Sequence, residues 1–231
     1  MGAPREANRI LLCAQTPARR IVLTYSVFAV LGLVIFFAGH FLLQTNILTS
    51  DRFSIYRDRG YPEYFQYTLA AIAALSFFYV AWKKQIFAYL VPAGIMTYLV
   101  LDDAFSIHER AGAFLASERP IIAPFKLSSM HIGEALFLSL AGISFLVVLF
   151  FAYIRSQQKV RFDLIIFTTI LFIAGIFGIV FDALSVFTKI GFFGFAEDSG
   201  EMISVALISI FAVDRATGIF TMADTPALIK K

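Results

Sequence analysis

The chain has 231 residues, 59% of them hydrophobic and 15% charged, with a formal net charge of +3 and a mean hydropathy of +0.80. A soluble domain carries about 25% charged residues, so the composition excludes an ordinary soluble protein and points to an integral membrane protein. The one cysteine, Cys13, excludes an intrachain disulfide and reads as a small hydrophobe.

The first apolar stretch, 21–43, is too long for a signal-peptide core of about 7–15 residues. It reads as a membrane-crossing helix that also targets the chain. Gly2 starts no myristoylation motif, because position 6 is Glu. A bilayer-crossing helix needs about 20 apolar residues, and six segments approach this: 21–43, 64–82, 86–101, 132–153, 164–187 and 202–213. The third and sixth are short and run into polar flanks. Pro92 is expected to kink the third span. Ala141 and Gly142 in the fourth, and Ala174 and Gly178 in the fifth, are expected to permit close helix packing. The expected fold is all-α: one transmembrane domain over 1–231, a polytopic bundle of six helices.

Lys and Arg set the orientation. One side carries twelve of them against four acids, a net of +8; the other carries seven against twelve acids, a net of −5. The first side is expected to be cytoplasmic with both termini, as in a bacterial inner membrane or its equivalent. Its basic surface suits anionic lipid heads.

The acidic outer side needs another explanation. His40 closes the first span and is expected to be hydrogen-bonded at headgroup level. The third span ends in Asp102-Asp103-Ala104-Phe105-Ser106-Ile107-His108-Glu109-Arg110. If the helix runs on, Asp102 and Glu109 lie two turns apart, within about 20° around the axis. Two aspartates at a helix C-terminus oppose the dipole, so either the helix continues or a cation offsets them. The fourth span opens with Ser128-Ser129-Met130-His131-Ile132-Gly133-Glu134. His131 and Glu134 share a face at i, i+3, the spacing of two ligands to one metal. Ser128 or Ser129 is the expected cap. Asp182, near the end of the fifth span, needs a partner, either Lys189 or a metal. Before the sixth span, Asp198 and Glu201 spell a capping box, and Glu197 lies one turn from Glu201.

Acids at the outer ends of four helices, with histidines beside two of them, give the ligand count of a carboxylate-rich metal site. The arrangement is similar in kind to soluble four-helix two-metal bundles. Those use Glu-x-x-His twice, whereas this chain has one His-x-x-Glu and one adjacent His-Glu pair. It is also similar in architecture to the zinc hydrolases that include alkaline ceramidases and adiponectin receptors, but has no His-x-x-x-His in its last helices. No residue is carried over from either family.

The candidate metal ligands are Asp102, Asp103, His108, His131, Glu134, Asp182 and Glu197, with Glu109 and Glu201 as general bases. Zn, Fe, Mn or Ca suits such donors, and cysteine at the site is absent. The expected function is a metal-dependent membrane enzyme, a hydrolase or oxidoreductase acting on a lipid-like substrate at headgroup depth. The alternatives are an ion- or proton-coupled transporter and an accessory subunit of a membrane complex. Scarce ionisable groups in the inner halves of the helices weigh against a transporter. Membrane lipids are the expected partners. The scattered basic residues carry no nucleic-acid signature.

Overall fold

The computed structural model describes residues 17–118 and 129–218. Cys13, Gly2 and the expected cap Ser128 lie outside these residues. Within them the chain is helical, with no strand.

Eight α-helices follow in order: α1 (Pro17–Gln44), α2 (Tyr61–Lys84), α3 (Leu90–Phe105), α4 (Ile107–Glu118), α5 (Ser129–Ile154), α6 (Gln158–Gly175), α7 (Asp182–Thr188) and α8 (Gly191–Thr217). Short 3-10 turns occupy Asp51–Phe53 and Phe87–Tyr89, and a π-helical segment, Ile176–Phe181, joins α6 to α7. Five stretches are long and apolar enough to cross a membrane: Ala18–Gln44, Tyr61–Lys84, Phe87–Phe105, Ser129–Ile154 and Gln158–Thr188. Four of the first five expected spans fall within these, and the third, 86–101, begins one residue earlier. The sixth, 202–213, lies inside α8, whose apolar run is bounded by Glu197, Asp198 and Glu201 at one end and by Asp214 and Arg215 at the other.

α8 is the centre of the bundle, packed against α1, α2, α6 and the π segment. α2 offers it small side chains at helical spacing: Ala70, Ala73, Ala74 and Ala81 are all buried. Small residues let two helix backbones approach closely. Ser209 of α8 accordingly donates to the Leu69 carbonyl across the interface, at 2.8 Å. Phe77 fills the centre, edge-on to Phe167 and stacked on Tyr89. α1 and α5 lie at the periphery and turn apolar side chains outward, among them Val27, Leu31, Leu140 and Phe150.

Two expectations about packing and bending are corrected. Pro92 falls in the first turn of α3, directly after a 3-10 turn. A missing N–H breaks no intrahelical bond there, so Pro92 starts the helix rather than kinking it. Gly142 has no neighbour within 4 Å of where a Cβ would stand, so the fourth span does not pack there. The close contact on α5 is at Gly133, whose Cβ would lie 2.6 Å from the carbonyl of Gly112 on α4. Gly178 does sit at a tight contact, against α8.

α1 and α8 are antiparallel. His40 meets Phe195 near one end, and Tyr25 meets Ser209 towards the other. Residues 17 and 217 therefore lie at the same end of the bundle. The acid-rich segments gather at the opposite end.

Candidate metal centre

The third span does not run on through its acids. Ser106 takes the left-handed conformation, φ 47°, and separates α3 from α4. Asp102 and Glu109 are therefore not on one continuous helix face, as the sequence pattern leads one to expect. The break is held by Asp102 itself. Its Oδ1 accepts the backbone N–H of His108 at 3.0 Å, and its Oδ2 faces His108 Nδ1 at 3.0 Å. A carboxylate that would oppose the α3 dipole is thus turned onto the first turn of α4, where N–H groups are unpaired.

Asp102 is 2% exposed, and both of its oxygens are engaged by one residue. A carboxylate only accepts, so Nδ1 of His108 carries a proton, and in the neutral ring Nε2 keeps its lone pair. The carboxylate raises the His108 pKa above the ordinary imidazole value, against the opposing effect of burial. Asp103 joins the pair: one donor atom from each of Asp102, Asp103 and His108 lies within 4.8 Å of the other two.

Beside this group lies a cavity of about 190 Å³, lined in part by Asp103, His108, Glu109, Asp198, Glu201 and Glu63. Arg57, Asp58 and Arg59 of the α1–α2 loop form another wall, with Gln66 of α2. With every carboxylate ionised and His108 neutral, six acids face two arginines, a formal charge of −4. A low-dielectric wall strengthens such a field, so the cavity favours cations. Glu201 lies in the field of Asp103 and Asp198 and has the Gln66 side chain as a hydrogen-bond partner.

The remaining candidates form a neighbouring group. His131, in the first turn of α5, is exposed, and Glu134 is half-buried against Gly112. Asp182 opens α7, and Glu197 on α8 lies in its field. Glu134 is within electrostatic reach of His131, His108 and Asp182. These four do not join Asp102, Asp103 and His108 at ligand distance among the described residues. Lys189 ends α7 in the left-handed conformation and forms no ion pair with Asp182. The capping box is also corrected. α8 starts at Gly191 with Ile190 before it, so Asp198 and Glu201 lie inside the helix and are free to face the cavity. His40 is structural: it is 2% exposed, its Nδ1 accepts the Ile55 N–H at 3.2 Å, and its ring packs edge-on to Tyr56.

Sequence reasoning overlooked Glu63, Gln66 and Tyr67. They recur at i, i+3 and i+4 on the first turns of α2, a polar stripe on one helix face. Glu63 accepts from the Arg59 N–H and the Tyr67 hydroxyl, which ties the loop to the helix. The opposite end of the bundle is likewise less apolar than expected. Asp163 and Asp214 are 3% and 5% exposed. Asp163 pairs with Arg215 at 3.1 Å and accepts the Tyr89 hydroxyl.

No curated protein and no solved structure matches this chain. Residues 20–214 match a family model described as "Domain of unknown function (DUF8692)", and the chain belongs to that family.

Proposed function

We propose that the protein is a metal-dependent membrane enzyme whose site is the cavity between α2, α3, α4 and α8. The Asp102–Asp103–His108 group carries this reading, because a histidine with its free nitrogen beside a carboxylate is a donor set for a divalent cation. Asp102 acts as the positioning carboxylate behind the histidine, an arrangement that fixes ring and tautomer in metal sites. His108 Nε2 and Asp103 are the ligands. Glu109 and Glu201, which line the same cavity, take the proton from an attacking water. A bound divalent cation supplies Lewis acidity and brings the pKa of a coordinated water towards ~7.

The cavity bounds the substrate. Its volume is about 190 Å³ and its lining is mostly charged and polar. That fits a polar headgroup, not an acyl chain, so a lipid-like substrate would keep its chain in the bilayer. The antiparallel run of α8 beside α1 supports six crossings with residues 17 and 217 on one side. The excess of Lys and Arg on that side supports a cytoplasmic assignment.

A transporter is the weaker reading. Between the cavity and the Asp163–Arg215 pair lies a closed layer of Leu69, Ala73, Phe77, Met96 and Ile208, none more than 1% exposed. Ser209, the polar group at that level, is satisfied by Leu69 and Tyr25.

The test is metal analysis of the purified full-length protein after exposure to Zn, Mn, Fe and Ca salts. One of these metals is expected near one equivalent, and lost in His108→Ala and in Asp103→Asn. Substoichiometric metal in the unaltered protein, or full retention in His108→Ala, would overturn the proposal.

A further inference from the structure

We propose that the groove between α5 and α6 binds an anionic phospholipid, with an acyl chain in the groove and the phosphate held by Arg161. The groove lies towards the end of the bundle opposite the cavity and measures about 450 Å³. Leu149, Phe150 and Tyr153 of α5 and Leu164, Thr168 and Phe172 of α6 line it. Leu149 and Leu164 are 3% and 2% exposed and form its floor. Its two threonine hydroxyls are turned onto their own helix. Thr168 donates to the Leu164 carbonyl at 2.7 Å, and Thr169 to the Ile165 carbonyl at 2.9 Å. A channel whose threonines are bonded within their own helix, and whose remaining walls are leucine, isoleucine and aromatic rings, suits a hydrocarbon chain.

Tyr153 walls one end of this groove, and Arg161 stands over its ring at 5.4 Å. The guanidinium is also fixed by two carbonyls at the end of α5. Nε donates to Tyr153 O at 3.1 Å, and Nη2 to Ile154 O at 3.0 Å. Arginine has five N–H donors, so three remain on a group whose orientation is already set. A preorganised guanidinium with spare donors matches a phosphate. Arg155, which follows Ile154 at the end of α5 where Arg161 is bound, is exposed. Asp163, two residues further along α6, is buried and paired with Arg215, so its charge is met inside the bundle. The mouth is therefore basic where the apolar channel ends, the charge and shape order of a phospholipid. A quaternary ammonium would meet two arginines there, which favours an anionic headgroup over a zwitterionic one.

The experiment uses the full-length protein in a non-ionic detergent, read by native mass spectrometry after addition of phosphatidylglycerol, phosphatidylcholine or inorganic phosphate. Phosphatidylglycerol is expected to stay bound, phosphatidylcholine to be retained at least tenfold less, and phosphate not to displace the lipid. Arg161→Gln should lower phosphatidylglycerol retention about tenfold. Because Arg161 also caps α5, a second variant leaves it untouched. Ile165→Trp, at a groove residue that is 48% exposed, fills the channel and should also lower retention. Equal retention of the two lipids, displacement by phosphate, or unchanged retention in Ile165→Trp would each overturn the proposal.

Discussion

Glu201 of α8 occupies the notch that Gly178 leaves in the π-helical segment, so a Cβ on Gly178 would collide with its Oε1. The fit is reciprocal: Gly200 of α8 makes room for the ring of Phe177. π-helical turns often mark functional sites, and this one seats a carboxylate that lines the acidic cavity. Gly178→Ala meets only the far end of a flexible side chain and should turn the Glu201 carboxylate aside at little cost. Gly133→Ala, 2.6 Å from the Gly112 carbonyl of α4, meets backbone and is expected to cost about 1–3 kcal/mol, the usual range for overpacking. Gly142→Ala, in open space on α5, should instead stabilise by about 0.5–1 kcal/mol by restricting the unfolded chain. Thermal unfolding of the Gly133 and Gly142 variants in detergent checks the pair, and equal melting temperatures would contradict the packing described.

The Asp102–His108 contact yields a sharper variant than deletion. In Asp102→Asn, the amide oxygen can still accept the His108 backbone N–H. Its NH₂ group then faces Nδ1, which must become an acceptor, so the proton moves to Nε2. The fold should survive while the metal-binding lone pair is lost. Metal affinity is expected to fall about 10–100-fold, the usual effect of removing such an outer carboxylate. Calorimetric titration with the metal that binds the unaltered protein measures it.

His40 offers the control. Its ring is buried and its Nδ1 accepts the Ile55 N–H. His40→Leu should leave that N–H unsatisfied and cost about 1–3 kcal/mol. Metal content should not change. Loss of metal in His40→Leu without loss of stability would move the site to α1.

At the other end, Asp163 and Arg215 form an ion pair whose side chains are 4% and 14% exposed. Arg215 keeps Asp214 at 3.6 Å, but the buried Tyr89 hydroxyl loses its acceptor, so Asp163→Ala is expected to cost about 1–3 kcal/mol. Replacing both with leucine should not recover that loss, because buried Asp214 is then left without its cation. A double-mutant cycle on thermal unfolding reads the coupling.

Most of the helices were legible in the sequence, because runs such as 132–153 are apolar throughout and length sets what can cross hydrocarbon. Their ends were not. The expected third span stopped at 101 where the helix runs to Phe105, and the sixth started at 202 where α8 begins at Gly191. Polar residues look like an end in a hydropathy pattern, yet a helix continues wherever a cavity solvates them. The same effect turned Asp198 and Glu201 from an apparent cap into interior residues facing the cavity. The gathering of Asp103, His108, Glu109 and Glu201 at one end could be anticipated from their places at span termini. Glu63 could not be singled out, since one acid in the first turn of a helix is ordinary.

By itself the sequence determined that the chain is a bundle of apolar helices with acids concentrated at one end, because composition and helix length depend on no partner. The tertiary structure decided which acids share a site. A left-handed residue at Ser106, against the expectation of a continuous helix, folds His108 back onto Asp102, and backbone dihedrals of that kind are set by the surrounding packing. It also decided that α8, interrupted by charge and least apolar by pattern, is the core of the bundle. Its acids at one end line the cavity and its Arg215 at the other pairs with Asp163, and those placements exist only once the other helices surround it.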